Sequence, residues 1–153
     1  MSDLDDTSNL LALEEQVCFA LAVAARSVLA VYRPLLEPLG LTHPQYLVML
    51  ALWQHQQVSV KELSRLLQLD PGTLSPLLKR LEAAGLIQRE RDVRDERLLC
   101  VTLTPSGQAL RAEAEKIPPA VIDRLGMPLA ELQSLRQTLT QVITAAQNAT
   151  AAP

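Results

Sequence analysis

The sequence predicts a mainly helical fold carrying one small β-hairpin, and three observations lead there. Apolar residues fill 48% of 153 positions but aromatics only 3%, so the core is built from Leu, Val and Ala, the material of helical proteins. Apolar positions recur at helical spacing along most of the chain, while residues 98–103 switch to a period of two. Proline and glycine punctuate the chain at Pro34, Pro38, Gly40, Pro44, Pro71, Gly85, Pro105, Gly126 and Pro128, with no low-complexity linker between.

Residues 1–11 are acidic and aperiodic and read as a frayed tail, leaving 12–153 as a single domain. The first helix begins near Leu13 and runs into the 30s, with Val17, Leu21, Ala24, Val28 and Val31 alternately four and three apart, a seam suited to helix packing. Pro34, Pro38 and Gly40 close it. A helix over 44–55 follows, with Leu47, Leu50 and Ala51 expected inward. Ser59 and Glu62 form a capping box that starts a short helix ending near Leu67. Asp70 and Pro71 start the next, whose Leu74, Leu77, Leu78 and Leu81 commit one face to the core and which Gly85 ends.

Residues 87–91 and 97–103 are short segments around a charged turn, and Leu99, Val101 and Leu103 alternate as in a half-buried strand. They make a hairpin. A helix from Thr104 and Pro105 is expected to bend at Pro118-Pro119 and reach Gly126. Pro128 opens the last, with Leu132, Leu135, Leu139, Val142 and Ala146 at heptad spacing. Helix, helix, helix and hairpin over about 44–104 is a winged helix-turn-helix arrangement. The flanking helices, about 12–40 and 105–147, carry apolar seams too large for that module to cover, and form a dimerisation domain.

Several function classes drop out. The longest apolar run, residues 17–25, falls short of the roughly 20 residues a bilayer span needs. The first fifteen residues carry no Lys or Arg, the reverse of a secretory signal, so a cytoplasmic protein without a membrane partner is expected. Cys18, Cys100, His43 and His55 show no metal-ligand spacing, and neither metal nor cofactor is expected. Net charge is −3, but five of the 17 acidic residues lie in the first fifteen positions, leaving 14 basic against 12 acidic in the rest. Where the charge sits matters more than its sum.

The outer side of the 70–84 helix and the hairpin hold the candidate DNA-reading residues. Asp70, Pro71 and Gly72 form a capped helix N-terminus that directs backbone N–H groups at phosphate. Thr73 and Ser75, beside Pro76, bring short hydroxyls to base edges in the major groove. Lys79 and Arg80 serve phosphates further along, and Arg91, Arg94 and Arg97 carry the wing to the minor groove. As single charges these read as a solvated face. The ordered constellation favours double-stranded DNA.

At these residues the chain resembles the MarR family of transcriptional regulators. The resemblance lies in residues 69–82, in Gly85-Leu86-Ile87, in Asp92 with Asp95-Glu96-Arg97, and in residues 103–107. It implies a homodimer on a palindromic operator, its recognition helices ~34 Å apart, with Arg97 in the minor groove and Asp95 orienting it. Pro71 stands where relatives often have Ser, removing one hydroxyl. Within the family the chain looks most like the organic hydroperoxide resistance regulators, on residues 17–21, 29–36 and 41–50. That likeness makes Cys18 a peroxide sensor met by phenols of the partner subunit, with Tyr32 at the first position and His43 at the second, commonly Tyr.

The chemistry stands apart from the likeness. A thiolate attacks peroxide oxygen, and the sulfenic acid formed reacts with a small thiol or oxidises further. Phenol or imidazole donors favour the ionised sulfur, and a cationic His43 would make the sensor pH-sensitive. By spacing alone Cys18 reads as a small buried hydrophobe. Cys100, mid-strand in the wing, reads as structural; Met49 and Trp53 read as core, though both could line a ligand cavity. The expected function is a repressor released by organic hydroperoxide, possible partners being a low-molecular-weight thiol and the homodimer mate. Its alternatives are a repressor induced by a small aromatic or phenolic ligand and, from another class, a thiol peroxidase.

Overall fold

The computed structural model describes residues 10–95 and 97–151. Most of the expected tail, residues 1–9, lies outside them, as does Glu96 of the wing turn. Leu10 and Leu11 are exposed. The chain divides into two compact units, the first ending at Ile117 and the second starting at Pro118.

In the first unit a 3-10 turn at Leu13–Glu15 precedes helix α1, Val17–Leu36. Pro34 lies in its last turn, and a second 3-10 turn, Glu37–Leu39, ends on Gly40 at φ 71°. Helix α2, His43–His55, is fixed by a full capping box: Thr42 N–H donates to Gln45 Oε1 at 2.9 Å, and Gln45 N–H returns to Thr42 Oγ1 at 3.4 Å. Tyr46, Val48, Met49, Ala51, Leu52 and Trp53 are all buried, whereas Leu50, expected inward, is 39% exposed. The helix is covered on nearly all sides, so no single stripe marks its core face.

Strand β1, Gln57–Ser59, leads into helix α3, Val60–Leu67. Ser59 Oγ accepts from Glu62 N–H at 3.0 Å, but the Glu62 carboxylate does not close the expected box. It accepts instead from the Arg65 guanidinium one turn on, where an ion pair replaces the backbone bond. Helix α4, Pro71–Ala83, buries Leu74, Leu78 and Leu81, and Gly85 at φ 78° follows its end.

Strands β2, Ile87–Arg91, and β3, Leu99–Leu103, form the hairpin. The sheet has three strands rather than two, in the order β1-β3-β2, all antiparallel, with Val58 opposite Val101 and Arg89 opposite Val101 from the other side. Being central, β3 buries Cys100 and Val101 alike, and the expected alternation is blurred.

Helix α5, Pro105–Ala114, is locked to the hairpin. A Cβ on Gly107 would stand 2.1 Å from the Leu86 carbonyl oxygen, so only glycine fits, and its own carbonyl accepts from Trp53 Nε1 at 2.9 Å. The chain breaks after Ala114, not at Pro118-Pro119. Those prolines occupy the first turn of helix α6, Ile117–Leu125, where a missing N–H costs nothing.

In the second unit, helix α7, Leu129–Ala151, leaves Leu129, Leu135, Val142 and Ile143 exposed. On α1 of the first unit, Val17, Phe19, Leu21 and Leu29 are exposed as well. Residues 17–39 are long and apolar enough to cross a membrane by length and composition alone. Run length misses this because Arg26 and Arg33 interrupt the apolar stretch.

Candidate nucleic-acid interface and redox site

Helix α4 exposes most of the residues expected to meet DNA. Asp70 caps it, with Oδ1 accepting from Thr73 N–H at 3.0 Å, and Thr73, through its side chain first and then this backbone bond, holds the carboxyl below the usual carboxylate range. A permanent negative charge there anchors the helix start. Pro71, Gly72, Thr73, Pro76, Lys79 and Arg80 are exposed and Ser75 is half-buried. Buried Leu74, Leu78 and Leu81 on the opposite side fix which residues those are.

The wing turn is tied by two carboxylates. Asp92 Oδ1 accepts from the backbone N–H of Arg94 at 2.6 Å and of Asp95 at 3.3 Å. Asp95 Oδ1 accepts from Arg97 N–H and from Arg97 Nε, both at 3.1 Å. The contact between Asp95 and Arg97 that the resemblance implies is therefore present, with the Arg97 side chain 91% exposed. Arg91 and Arg94 are exposed as well.

Helix α4 and the wing are also joined to each other, through residues no motif singled out. Glu82 accepts from Arg89 N–H and Nε through Oε2 and from Arg89 Nη2 through Oε1, the last at 3.1 Å. The only signal in sequence was opposite charge seven residues apart, which says little across a turn.

Sequence reasoning placed Cys18, Tyr32 and His43 together, and the single chain assembles two of the three. Cys18 is an exposed free thiol in the first turn of α1. Tyr32 lies fourteen residues on along the same helix, about 21 Å away at the helical rise. Its ring meets His43 edge-on, with centroids 4.9 Å apart. Tyr46 completes a three-ring cluster, 5.9 Å from Tyr32 and 6.2 Å from His43. Its i+3 spacing from His43 was the overlooked signal.

Burial pushes the Tyr32 phenol up, so it stays a donor at neutral pH. Burial of Tyr46, then the charge of Tyr32, raises Tyr46 likewise. Burial lowers His43, so its imidazole is neutral at physiological pH. A ring packed against two phenols loses water that would stabilise its charge, which disfavours the imidazolium in the single chain. Beside the cluster lies a cavity of about 410 Å³ lined by Leu29, Arg33, Leu36, Glu37, Leu41, Thr42, His43 and Pro44. Met49 and Trp53 are core residues and do not line it. Among the described residues no group of three or more His, Cys, Asp or Glu is placed to hold a metal.

Residues 41–99, from just before α2 to the first residue of β3, match the MarR family. The chain is 41% identical over 134 residues to the organic hydroperoxide resistance transcriptional regulator of Bacillus subtilis, covering 86% of this chain and 91% of that one. This chain belongs to the MarR family. A second likeness is to the HTH-type transcriptional regulator TtmR of Methylorubrum extorquens, 45% identical over 85% of this chain and 67% of that one. Among solved structures, reduced AbfR bound to DNA matches with a TM-score of 0.72 and 34% identity over 88% of this chain and 94% of that one. The overoxidized form of AbfR bound to DNA matches with a TM-score of 0.66 and 35% identity over 85% and 95%.

As a MarR-family winged-helix protein, the chain is a DNA-binding transcriptional regulator and not an enzyme. The thiol peroxidase alternative is set aside on that ground.

Proposed function

We propose that this chain is a cytoplasmic, homodimeric repressor that binds a palindromic operator and leaves it when an organic hydroperoxide oxidises Cys18. The observation that carries this reading is the pairing of an exposed Cys18 with a prebuilt Tyr32–His43 cluster it cannot meet within its own chain. Two copies packed antiparallel along α1 about a two-fold axis supply the missing partner, each cluster serving the other subunit's cysteine. The unpartnered apolar faces of α1 and α7 support the same arrangement, and we read α1 as covered by a second copy rather than by lipid.

The chemistry balances within those groups. The Cys18 thiolate attacks the peroxide, the O–O bond breaks, sulfenic acid forms on sulfur and the alkoxide leaves, taking a proton to become the alcohol. A low-molecular-weight thiol then condenses with the sulfenic acid, releasing water and leaving a mixed disulfide. Tyr32 O–H and neutral His43 N–H are the donors to sulfur and its new oxygen. The enlarged, more polar group no longer fits the seam, and the recognition helices lose their two-fold spacing.

The same cavity beside His43 favours a second reading, in which a small phenolic or aromatic acid sits against Arg33 and induces release without oxidation. Sedimentation equilibrium and footprinting test the shared part. A dimer of the 16.8 kDa chain protecting two half-sites about one helical turn apart is expected. A monomer, or a single protected half-site, overturns it.

A further inference from the structure

The wing turn hangs on a contact made by the second cysteine. Cys100 sits on the central strand β3, opposite Ser59 of β1 and Glu90 of β2, and is 6% exposed. Its Sγ–H donates to Asp92 Oδ2 at 3.5 Å, while the other oxygen of that carboxylate takes the backbone N–H groups of Arg94 and Asp95. Gln57 of β1 lines the same pocket as this thiol and Asp92. The thiol therefore ties the central strand to the turn that carries Arg94 and Arg97.

Each carboxylate oxygen has a separate task. Oδ1 shapes the turn, and Oδ2 fastens it to the sheet. Burial pushes the Cys100 thiol up, with Asp92 adding to the effect, so the sulfur keeps its proton and remains a donor. The Arg94 backbone N–H and then the thiol hold the Asp92 carboxyl below the usual range, so the acceptor remains charged. A thiol so placed is also a poor nucleophile, which separates Cys100 chemically from Cys18.

We infer that Cys100 is a positioning residue for DNA binding: its S–H anchors Asp92, and through Asp92 the wing turn, so that Arg94 and Arg97 are held in place for the minor groove. The contact itself touches no nucleotide. The inference rests on the wing reading of Arg97 for its consequence but not for its geometry, and the two can be tested apart.

The test compares Cys100→Val, which keeps a strand-forming apolar side chain without the donor, with Cys100→Ser, which keeps a donor of similar size. Asp92→Asn is the third variant. Amide hydrogen exchange at Arg94 and Asp95 is read in the free protein. Affinity is read on a labelled duplex selected from a random library by the wild-type chain. Cys100→Val and Asp92→Asn are expected to speed exchange at both amides and to weaken duplex binding about three- to tenfold, the size of an ordinary net hydrogen bond. Cys100→Ser is expected to restore both. Unchanged exchange in Cys100→Val, or Cys100→Ser behaving as badly as Cys100→Val, overturns the inference. Faster exchange with unchanged affinity overturns the DNA-positioning role, and Arg97→Ala on the same duplex then shows whether the wing reading fell with it.

Discussion

Glu82 of the recognition helix and Arg89 of the first wing strand clasp each other through both carboxylate oxygens, with the backbone N–H of Arg89 as a further donor. On the proposed docking, helix and wing reach adjacent grooves of one duplex, and this pair, which joins them, is expected to hold their spacing. Glu82 is 40% exposed and solvent screens the ion pair, so its effect falls on geometry more than on stability. Arg89→Gln should lower duplex affinity several-fold while shifting the unfolding midpoint little. The Arg89 side chain holds the Glu82 carboxyl below its ordinary value. The contribution is thus complete above about pH 4.5 and lost as pH falls through the lower folded value. Arg89→Gln should remove that acid-side slope; an unchanged slope would show the clasp is absent in solution.

His43 makes a pH prediction of the opposite origin. Burial lowers its folded pKa below the unfolded value near 6.5. Above that value both states are neutral and His43 adds no slope. As pH falls below it the unfolded chain takes the proton first, so stability declines until the folded imidazole is protonated too. Denaturant titrations from about pH 8 to about pH 5 should show this decline in wild type and a shallower one in His43→Gln. Parallel curves would mean that the ring is solvated. For the sensor, Cys18 oxidation well above the ordinary imidazole range should follow thiol ionisation alone, since burial moves His43 titration to lower pH.

Gly107 tests the packing between hairpin and α5. An alanine Cβ would collide with the Leu86 carbonyl at 2.1 Å, and overpacking of this kind costs about 1–3 kcal/mol. Gly107→Ala should lower the unfolding midpoint and shift the emission of Trp53, whose Nε1 donates to the Gly107 carbonyl. With one tryptophan in the chain, the fluorescence reports on that bond alone. Wild-type emission and midpoint would contradict the close approach.

Much of the fold was legible because its signals are local. Asp70 and Pro71 announce a helix start, Leu74, Leu78 and Leu81 its buried face, and Thr104, Pro105 and Gly107 the start of the next helix. What escaped depends on neighbours distant in sequence. A three-residue strand at Gln57–Ser59 has no period to detect, and exists because β3 offers a second edge. Leu50 looked inward on a helix with no polar face to contrast with it. The paired prolines at 118 and 119 were read as a bend, whereas helix starts accept them. In the site, charge and hydroxyl patterns exposed the DNA face, but Glu82–Arg89 and Cys100–Asp92 pair residues across turns. Those contacts are properties of the folded chain.

On the proposed wing reading, Arg97 is the residue to test for the wing's contribution to affinity. Its side chain is 91% exposed and pairs with Asp95, so Arg97→Ala should leave the unfolding curve in place and weaken binding to the selected duplex. Binding by wild type should fall steeply with salt, the slope of log affinity against log salt being roughly −0.9 for each phosphate neutralised. Affinity unchanged by Arg97→Ala at fixed salt would remove the wing from the interface.

The central claim is that release from DNA and oxidation of Cys18 are one event. The measurement is a duplex-binding titration with increasing cumene hydroperoxide, with mass spectrometry of the Cys18 peptide at every point and Cys18→Ser run alongside. Bound fraction should fall in step with the fraction of Cys18 carried as sulfenic acid or mixed disulfide, Cys100 should remain a thiol, and Cys18→Ser should stay bound throughout. Release of Cys18→Ser at the same peroxide concentration, or release of wild type with Cys18 still a thiol, would contradict the account.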